Sequence, residues 1–207
     1  MNAKASGHES FYLGKEGTDR VRPERFTIEF MEKNKSFRFL QSKKGYLRSP
    51  VADFGCGHGP LTVLTARMGF RVTGFDCIEE NIRNGLALKR PGDDVDFIRC
   101  FLDNIPADDD SFASGILKEV MEHIIAPDIP RVIGEIQRVL KPGAPLIVTV
   151  PRESIVNSMD TRQHVTFFQS QGELARYLRS FGFRVLEREF NRIYRRICVI
   201  VENPGRG

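Results

Sequence analysis

The 207-residue sequence predicts a doubly wound α/β domain, a mainly parallel seven-stranded sheet that ends in a C-terminal antiparallel hairpin. Three observations predict it. From Val51 onward, short apolar strands alternate with amphipathic helices. A glycine-rich turn joins the first strand to the helix after it. The last two strands follow one another across a short turn with no helix between them.

Residues 1 to about 25 are polar and contain glycine, and read as a loose arm or lid; a helix is expected over 23–41. Val51–Phe54 is a short apolar strand. Residues 60–68 read as a helix with Pro60 at an early position, where no N–H partner is needed. The next strand is 71–75. Asp76 and Glu79 have the spacing of a capping box for a helix that ends before Pro91–Gly92. Residues 95–100 and 113–118 are the third and fourth strands. Over 128–140, Ile129, Val132, Ile133, Ile136, Val139 and Leu140 share one helical face, the clearest 3.6-residue period in the chain, and Lys141–Pro142–Gly143 stops it. Residues 146–150 are almost wholly apolar, as in a strand covered on both faces. Ser170 and Glu173 open a helix carrying Leu174, Leu178 and Phe181, with Gly182 at its C-terminal cap. Residues 184–190 and 195–201 are the closing strands. With no internal repeat, one domain over 1–207 is expected: an arm and helix over 1–48 covering the acceptor side, and a core over 49–207.

Apolar residues make up 41% of the chain and charged residues 28%, a globular balance. No apolar run reaches the length of a membrane span. The start MNAKASGHES has no apolar core of a secretory signal, so the cytoplasm is the expected location. Cys56, Cys77, Cys100 and Cys198 form no C-x-x-C pair and signal neither zinc nor a disulfide framework. The net charge of +4 is not by itself a nucleic-acid signature. Between Lys33 and Arg48 there are six basic residues and no acid, with Phe37, Phe39 and Tyr46 among them. This reads as the solvated face of an amphipathic helix, or as a docking surface for an anionic substrate.

The segment VADFGCGHGP carries Gly55, Gly57 and Gly59 between a strand and a helix. Without β-carbons the backbone can turn sharply and a ligand can approach it. In open α/β sheets, ligands bind beyond the carboxyl ends of the strands. Asp76 ends the second strand about twenty residues on, where a carboxylate can accept hydrogen bonds from ribose hydroxyls. A nucleotide-redox enzyme would instead favour G-x-G-x-x-G, with its third glycine one position later.

These residues resemble the class I S-adenosylmethionine-dependent methyltransferases, of the methyltransferase-11/12-like subgroup. VADFGCGHG is similar to their first motif and VTGFDCIEENI to their second. SFASGILKEVMEHI, EIQRVLKPGAPLIVTVP and HVTFFQSQGELARYLRSFGFRV resemble, in order, their fourth-strand motif, their fifth strand with its preceding helix, and their tail. The resemblance runs from about Val51 to Val201 and implies a Rossmann-like fold and S-adenosyl-L-methionine as cofactor. It implies that Asp53, Gly55, Cys56, Gly57 and Gly59 face the methionine portion, that Asp76 holds the ribose beside Cys77, and that Phe101, Leu102 and Asp103 line the adenine. Lys118 and Glu119 would border the transfer site. Two positions depart from the family pattern: Phe101 stands where an acid often meets the adenine amino group, and Ala113 where an aspartate is usual.

Methyl transfer to an oxygen requires loss of a proton, so a base or a metal is useful. His123 and His164 are the candidate bases. Glu119, Glu122 and His123 fall at i, i+3 and i+4 and would share a face if helical; with His164 they could bind a divalent metal. The same E-x-x-E-H pattern also occurs where it only continues the strand-four loop. Transfer to an oxygen or nitrogen of a small molecule is the leading expectation. The alternatives are a metal-assisted RNA 2'-O-methyltransferase using the basic segment, and a non-catalytic cofactor-binding interaction module. The Asp108–Asp110 run reads as a solvated turn.

Overall fold

The structure, a computed structural model, describes residues 27–152, 165–191 and 196–205. Seven strands form one sheet: β1 (Val51–Phe54), β2 (Val72–Asp76), β3 (Val95–Arg99), β4 (Ser114–Lys118), β5 (Pro145–Pro151), β6 (Arg184–Asn191) and β7 (Arg196–Glu202). Their order is β3-β2-β1-β4-β5-β7-β6. Strands β1 to β5 pair in parallel, and β7 runs antiparallel between β5 and β6. The order reverses between β1 and β4, so the loops after these two strands diverge and leave a crevice at the carboxyl edge.

The helices are α1 (Ile28–Lys33), α2 (Lys35–Ser42), α3 (Pro60–Arg67), α4 (Glu79–Leu88), α5 (Ile129–Val139) and α6 (Gln171–Ser180). One face of the sheet is covered by α1 to α4 and the other by α5 and α6, which gives two apolar layers. The stripe read in α5 is buried as expected: Ile129, Val132, Ile133, Ile136 and Val139 are at most 1% exposed. All of β5 is buried. In α6, Ser170 Oγ accepts from the Glu173 N–H, while the Glu173 carboxylate accepts from Gln169 instead of returning to Ser170. Gly182 follows at φ +88°.

Two local expectations are corrected. The first helix region is broken at Asn34, whose extended backbone ends α1 and whose side chain accepts the Ser36 N–H to start α2; cap chemistry outcompetes continuation there. And Asp76 does not cap α4. That helix begins at Glu79 after Ile78, which supplies no side-chain cap, and the Asp76 carboxylate is used in the loop before it.

The basic segment is partly structural. Phe37, Phe39 and Leu40 are buried against the sheet. Lys33, Lys35, Arg38, Lys44 and Arg48 are exposed, but Lys43 turns inward to Glu187 and Glu189 on β6 and lies over the Phe39 ring. Tyr46 donates to the same Glu187 at 2.9 Å. Among the described residues no helix is long and apolar enough to cross a membrane.

Candidate active site

The turn after β1 is built from three glycines with positive φ: Gly55 (+73°), Gly57 (+54°) and Gly59 (+83°). The N–H groups of Gly55 and Cys56 donate to the Phe75 carbonyl, which ties the turn to the end of β2. Gly59 opens α3 and lies so close to Gly85 and Phe97 that a β-carbon there would come within 2.7 Å of both. Gly57 differs: among the described residues no group beyond its chain neighbours lies within 4 Å of the place its β-carbon would take. The backbone at Gly57 is therefore open to a ligand, whereas Gly59 serves helix packing.

Asp76 organises this turn. Its Oδ2 accepts from the Gly57 N–H at 2.9 Å, and its Oδ1 from the Ile78 N–H at 2.9 Å and the Asn81 amide at 3.0 Å. A carboxylate offers about four acceptor positions, so one, on Oδ2, is left among the described residues. Asp53 is buried; its Oδ2 accepts from the Thr62 hydroxyl at 2.7 Å. Desolvation lifts its pKa to about 6 against the opposing Thr62 hydrogen bond and Lys118 charge. His58 faces the Asn84 amide at 2.8 Å, and burial holds it below the ordinary histidine value. Burial also pushes the Cys56 thiol up, and the Cys100 thiol to about 12, so neither is a reactive thiolate.

The segment after β3 begins with the Cys100 N–H on the Asp76 carbonyl. It turns through Phe101, Leu102 and Asp103, with the Asn104 N–H returning to the Phe101 carbonyl. Asp103, the acid of this segment, pairs with Arg131 at 3.0 Å.

After β4 the chain departs from the helical reading of the E-x-x-E-H cluster. Glu119 has φ +56°, and only a short turn, Met121–His123, follows it. The three residues therefore do not share a helical face. The Glu119 N–H continues the ladder onto the Thr149 carbonyl, its Oε1 accepts from the Thr149 hydroxyl at 3.0 Å, and its Oε2 lies against Arg196 of β7 as an ion pair. Glu122 is 2% exposed and its Oε2 has no hydrogen-bond partner among the described residues. Burial, then the Glu119 carboxylate, raise its pKa well above the usual range, which favours a neutral acid. Its backbone carbonyl accepts from the N–H groups of Val165 and Thr166. His123 is half-buried in the turn, and His164 lies outside the described residues. No group of three or more His, Cys, Asp or Glu side chains converges to hold a metal among the described residues.

Sequence reasoning reached the glycine turn, Asp53, Asp76 and Glu119, all of which stand at the carboxyl edge. It missed Thr62, Asn81, Val120, Thr149 and Arg196, which hold those residues in place. Only Asn81, five residues beyond Asp76, carried a local signal, since a short amide near a carboxylate is a ready partner.

Residues 52–148 match the methyltransferase domain family. Over those residues, just under half of its length, the chain is similar to that family. The match covers β1 through most of β5, which includes every loop described above from Gly55 to Glu119. The human mitochondrial ubiquinone biosynthesis O-methyltransferase is 33% identical over 114 residues, which are 53% of this chain and 30% of that protein. The chain thus spans less than a third of that relative's length. A SAM-dependent methyltransferase of Methanosarcina mazei shares its fold with a TM-score of 0.63 at 21% identity, over 80% of this chain and 98% of that one. A Pyrococcus horikoshii protein does so with a TM-score of 0.72 at 21% identity, over 89% and 97%. These two likenesses show the fold.

Proposed function

We propose that the protein is an enzyme that transfers a methyl group from S-adenosyl-L-methionine to an oxygen or nitrogen of a small molecule, with a hydroxyl oxygen favoured. One observation carries this reading. Among the described residues, the backbone at Gly57 is open and lies beside the Asp76 carboxylate, which keeps one acceptor position free at the edge where α/β sheets bind nucleosides. The name shared by the curated relatives, ubiquinone biosynthesis O-methyltransferase, supports transfer to oxygen.

The residues present fit the cofactor. Asp76 beside Cys77 would hold the ribose. Asp53, Gly55, Cys56, Gly57 and Gly59 would hold the methionine portion, Phe101, Leu102 and Asp103 the adenine, and Lys118 and Glu119 the border of the transfer site. When bound, the cofactor supplies an electrophilic methyl group on a sulfonium sulfur. The protein's part is to seat it, exclude water and fix the acceptor in line. His123 or His164 would take the acceptor's proton. Residues 1–48 would cover the acceptor side of a single domain, and the described part of that segment, α1 and α2, packs on α3 and the sheet.

Titration calorimetry with S-adenosylhomocysteine tests the cofactor, and a panel of phenols and amines under labelled cofactor tests the transfer. Micromolar binding together with label on a phenol is the expected result. Absence of binding at millimolar ligand overturns the reading.

A further inference from the structure

The connection from β3 to β4, residues 100–113, contains no helix. It is held instead by a polar stripe on α5. Arg131, Glu135 and Arg138 stand at i, i+4 and i+7, on a line beside the apolar stripe that faces the sheet.

The contacts are dense. All five N–H groups of Arg138 are used: Nε donates to Glu135 Oε1 at 2.7 Å, Nη1 to the Ala107 carbonyl at 2.8 Å and to Asp109 Oδ1 at 2.7 Å, and Nη2 to the Ile105 carbonyl at 2.8 Å and to Glu135 Oε2 at 2.9 Å. Glu135 Oε2 also accepts the Ile105 N–H at 2.9 Å. Ile105 is thus gripped at both backbone groups by one i,i+3 pair. One turn of helix away, Arg131 pairs with Asp103. The other end of the loop is fixed where Cys100 N–H meets the Asp76 carbonyl. The residues between these anchors are Phe101, Leu102, Asp103 and Asn104.

We propose that Arg131, Glu135 and Arg138 are positioning residues that set the path of the nucleoside-binding loop between Cys100 and Ile105. This inference rests on the assignment of Phe101–Asp103 to the adenine given above. The apolar anchors Ile105 and Phe112, both buried, already seat the connection on the core. The polar clamp adds a fixed direction for the backbone upstream of Ile105. A loop ordered before the ligand arrives saves the ordering cost at binding, so loss of the clamp appears as weaker cofactor affinity.

The test compares Arg138→Met, Glu135→Gln and Arg131→Gln with Arg67→Met. The last breaks a bidentate pair with Asp93 that fastens α3 to the turn before β3, away from the proposed site. S-adenosylhomocysteine affinity is read by calorimetry, thermal stability by scanning, and amide exchange at 101–105 by mass spectrometry. Arg138→Met is expected to weaken binding about tenfold and to speed exchange at 101–105. Arg131→Gln, at an arginine two-thirds exposed, should weaken binding about threefold with little thermal loss. Arg67→Met should lose thermal stability with affinity within about twofold of wild type. The proposal is overturned if Arg138→Met and Arg131→Gln bind like wild type, or if Arg67→Met weakens binding as much as they do. Should Arg138→Met fail to fold, Arg131→Gln decides. A wild-type protein that ignores the ligand overturns the cofactor assignment and this inference with it, whereas a binding wild type with indifferent variants overturns this inference alone.

Discussion

Val120 fills the place that a β-carbon on Gly55 would need: its Cγ2 lies inside contact distance of that position. The glycine turn after β1 and the turn after β4 are therefore packed backbone against side chain. Gly55 also has φ +73°, which an L side chain adopts at a cost. Gly55→Ala should lose about 2–4 kcal/mol, combining left-handed backbone strain with overpacking. Gly57→Ala should lose about 1–2 kcal/mol, the left-handed strain at φ +54° without overpacking, since no other described group meets its β-carbon. If the proposed site holds the cofactor there, it should also lose at least about tenfold in affinity for S-adenosylhomocysteine, because the added methyl group would project into the ligand's space. Thermal scans and calorimetry on the two variants separate these effects. Equal stability loss in both would show that packing against Val120 does not distinguish them.

Asp76 accepts three hydrogen bonds, so its replacement by asparagine has no neutral orientation. An amide nitrogen in place of Oδ2 would face the Gly57 N–H; in place of Oδ1 it would face Ile78 and Asn81. Asp76→Asn should cost about 1–3 kcal/mol of stability, the usual penalty for a mispaired buried group. Cofactor affinity should fall further than stability alone explains. A variant that keeps both wild-type stability and wild-type affinity would remove Asp76 from the site.

Much of this site was legible because its signals are local. Three glycines in five residues, a carboxylate at the end of the next strand and the 3.6-residue period over Ile129–Val139 are all patterns of near neighbours. The supports were not legible because they are distant in the chain: Arg196 reaches Glu119 across 77 positions, and Thr149 reaches it across 30. Sheet order brings them together, and no spacing in the sequence encodes it. The helical reading of Glu119–His123 failed for a related reason. The strand ladder continues through the Glu119 N–H to Thr149, thirty positions away, and Glu119 takes positive φ instead of opening a helix.

Asp53 predicts a pH dependence. In the unfolded chain an aspartate loses its proton near the ordinary value of about 3.9. In the fold, desolvation first, against the Thr62 hydrogen bond, keeps the proton on until about 6. Between those values the native state binds the extra proton, so stability falls as pH rises across the window, by about 3 kcal/mol, and levels off above it. Asp53→Asn keeps an oxygen for the Thr62 hydroxyl and removes the slope. Denaturation series from pH 4 to 7 on both proteins should therefore diverge, and parallel curves would show that Asp53 titrates normally. Since S-adenosylhomocysteine carries an ammonium group, its affinity should also weaken below about pH 6 in wild type and not in Asp53→Asn.

Glu119 and Arg196 should behave as a coupled pair. Both side chains are about four-fifths removed from water, so neither charge is freely solvated if the other is removed. Arg196→Met would leave the Glu119 carboxylate with only the Thr149 hydroxyl, and Glu119→Gln would leave the guanidinium facing a neutral amide. Each single change should cost about 1–3 kcal/mol, and the double variant less than the sum, giving a coupling of at least about 1 kcal/mol in a double-mutant cycle. Arg196 also holds down the proton affinity of the buried Glu122. Arg196→Met should accordingly extend the protonated-carboxyl infrared band from Glu122 to higher pH, assigned by its loss in Glu122→Gln. Additive stability losses with an unchanged carboxyl band would mean that Arg196 and Glu119 are neighbours without energetic coupling, and the bend after β4 would then rest on the Thr149 contacts alone.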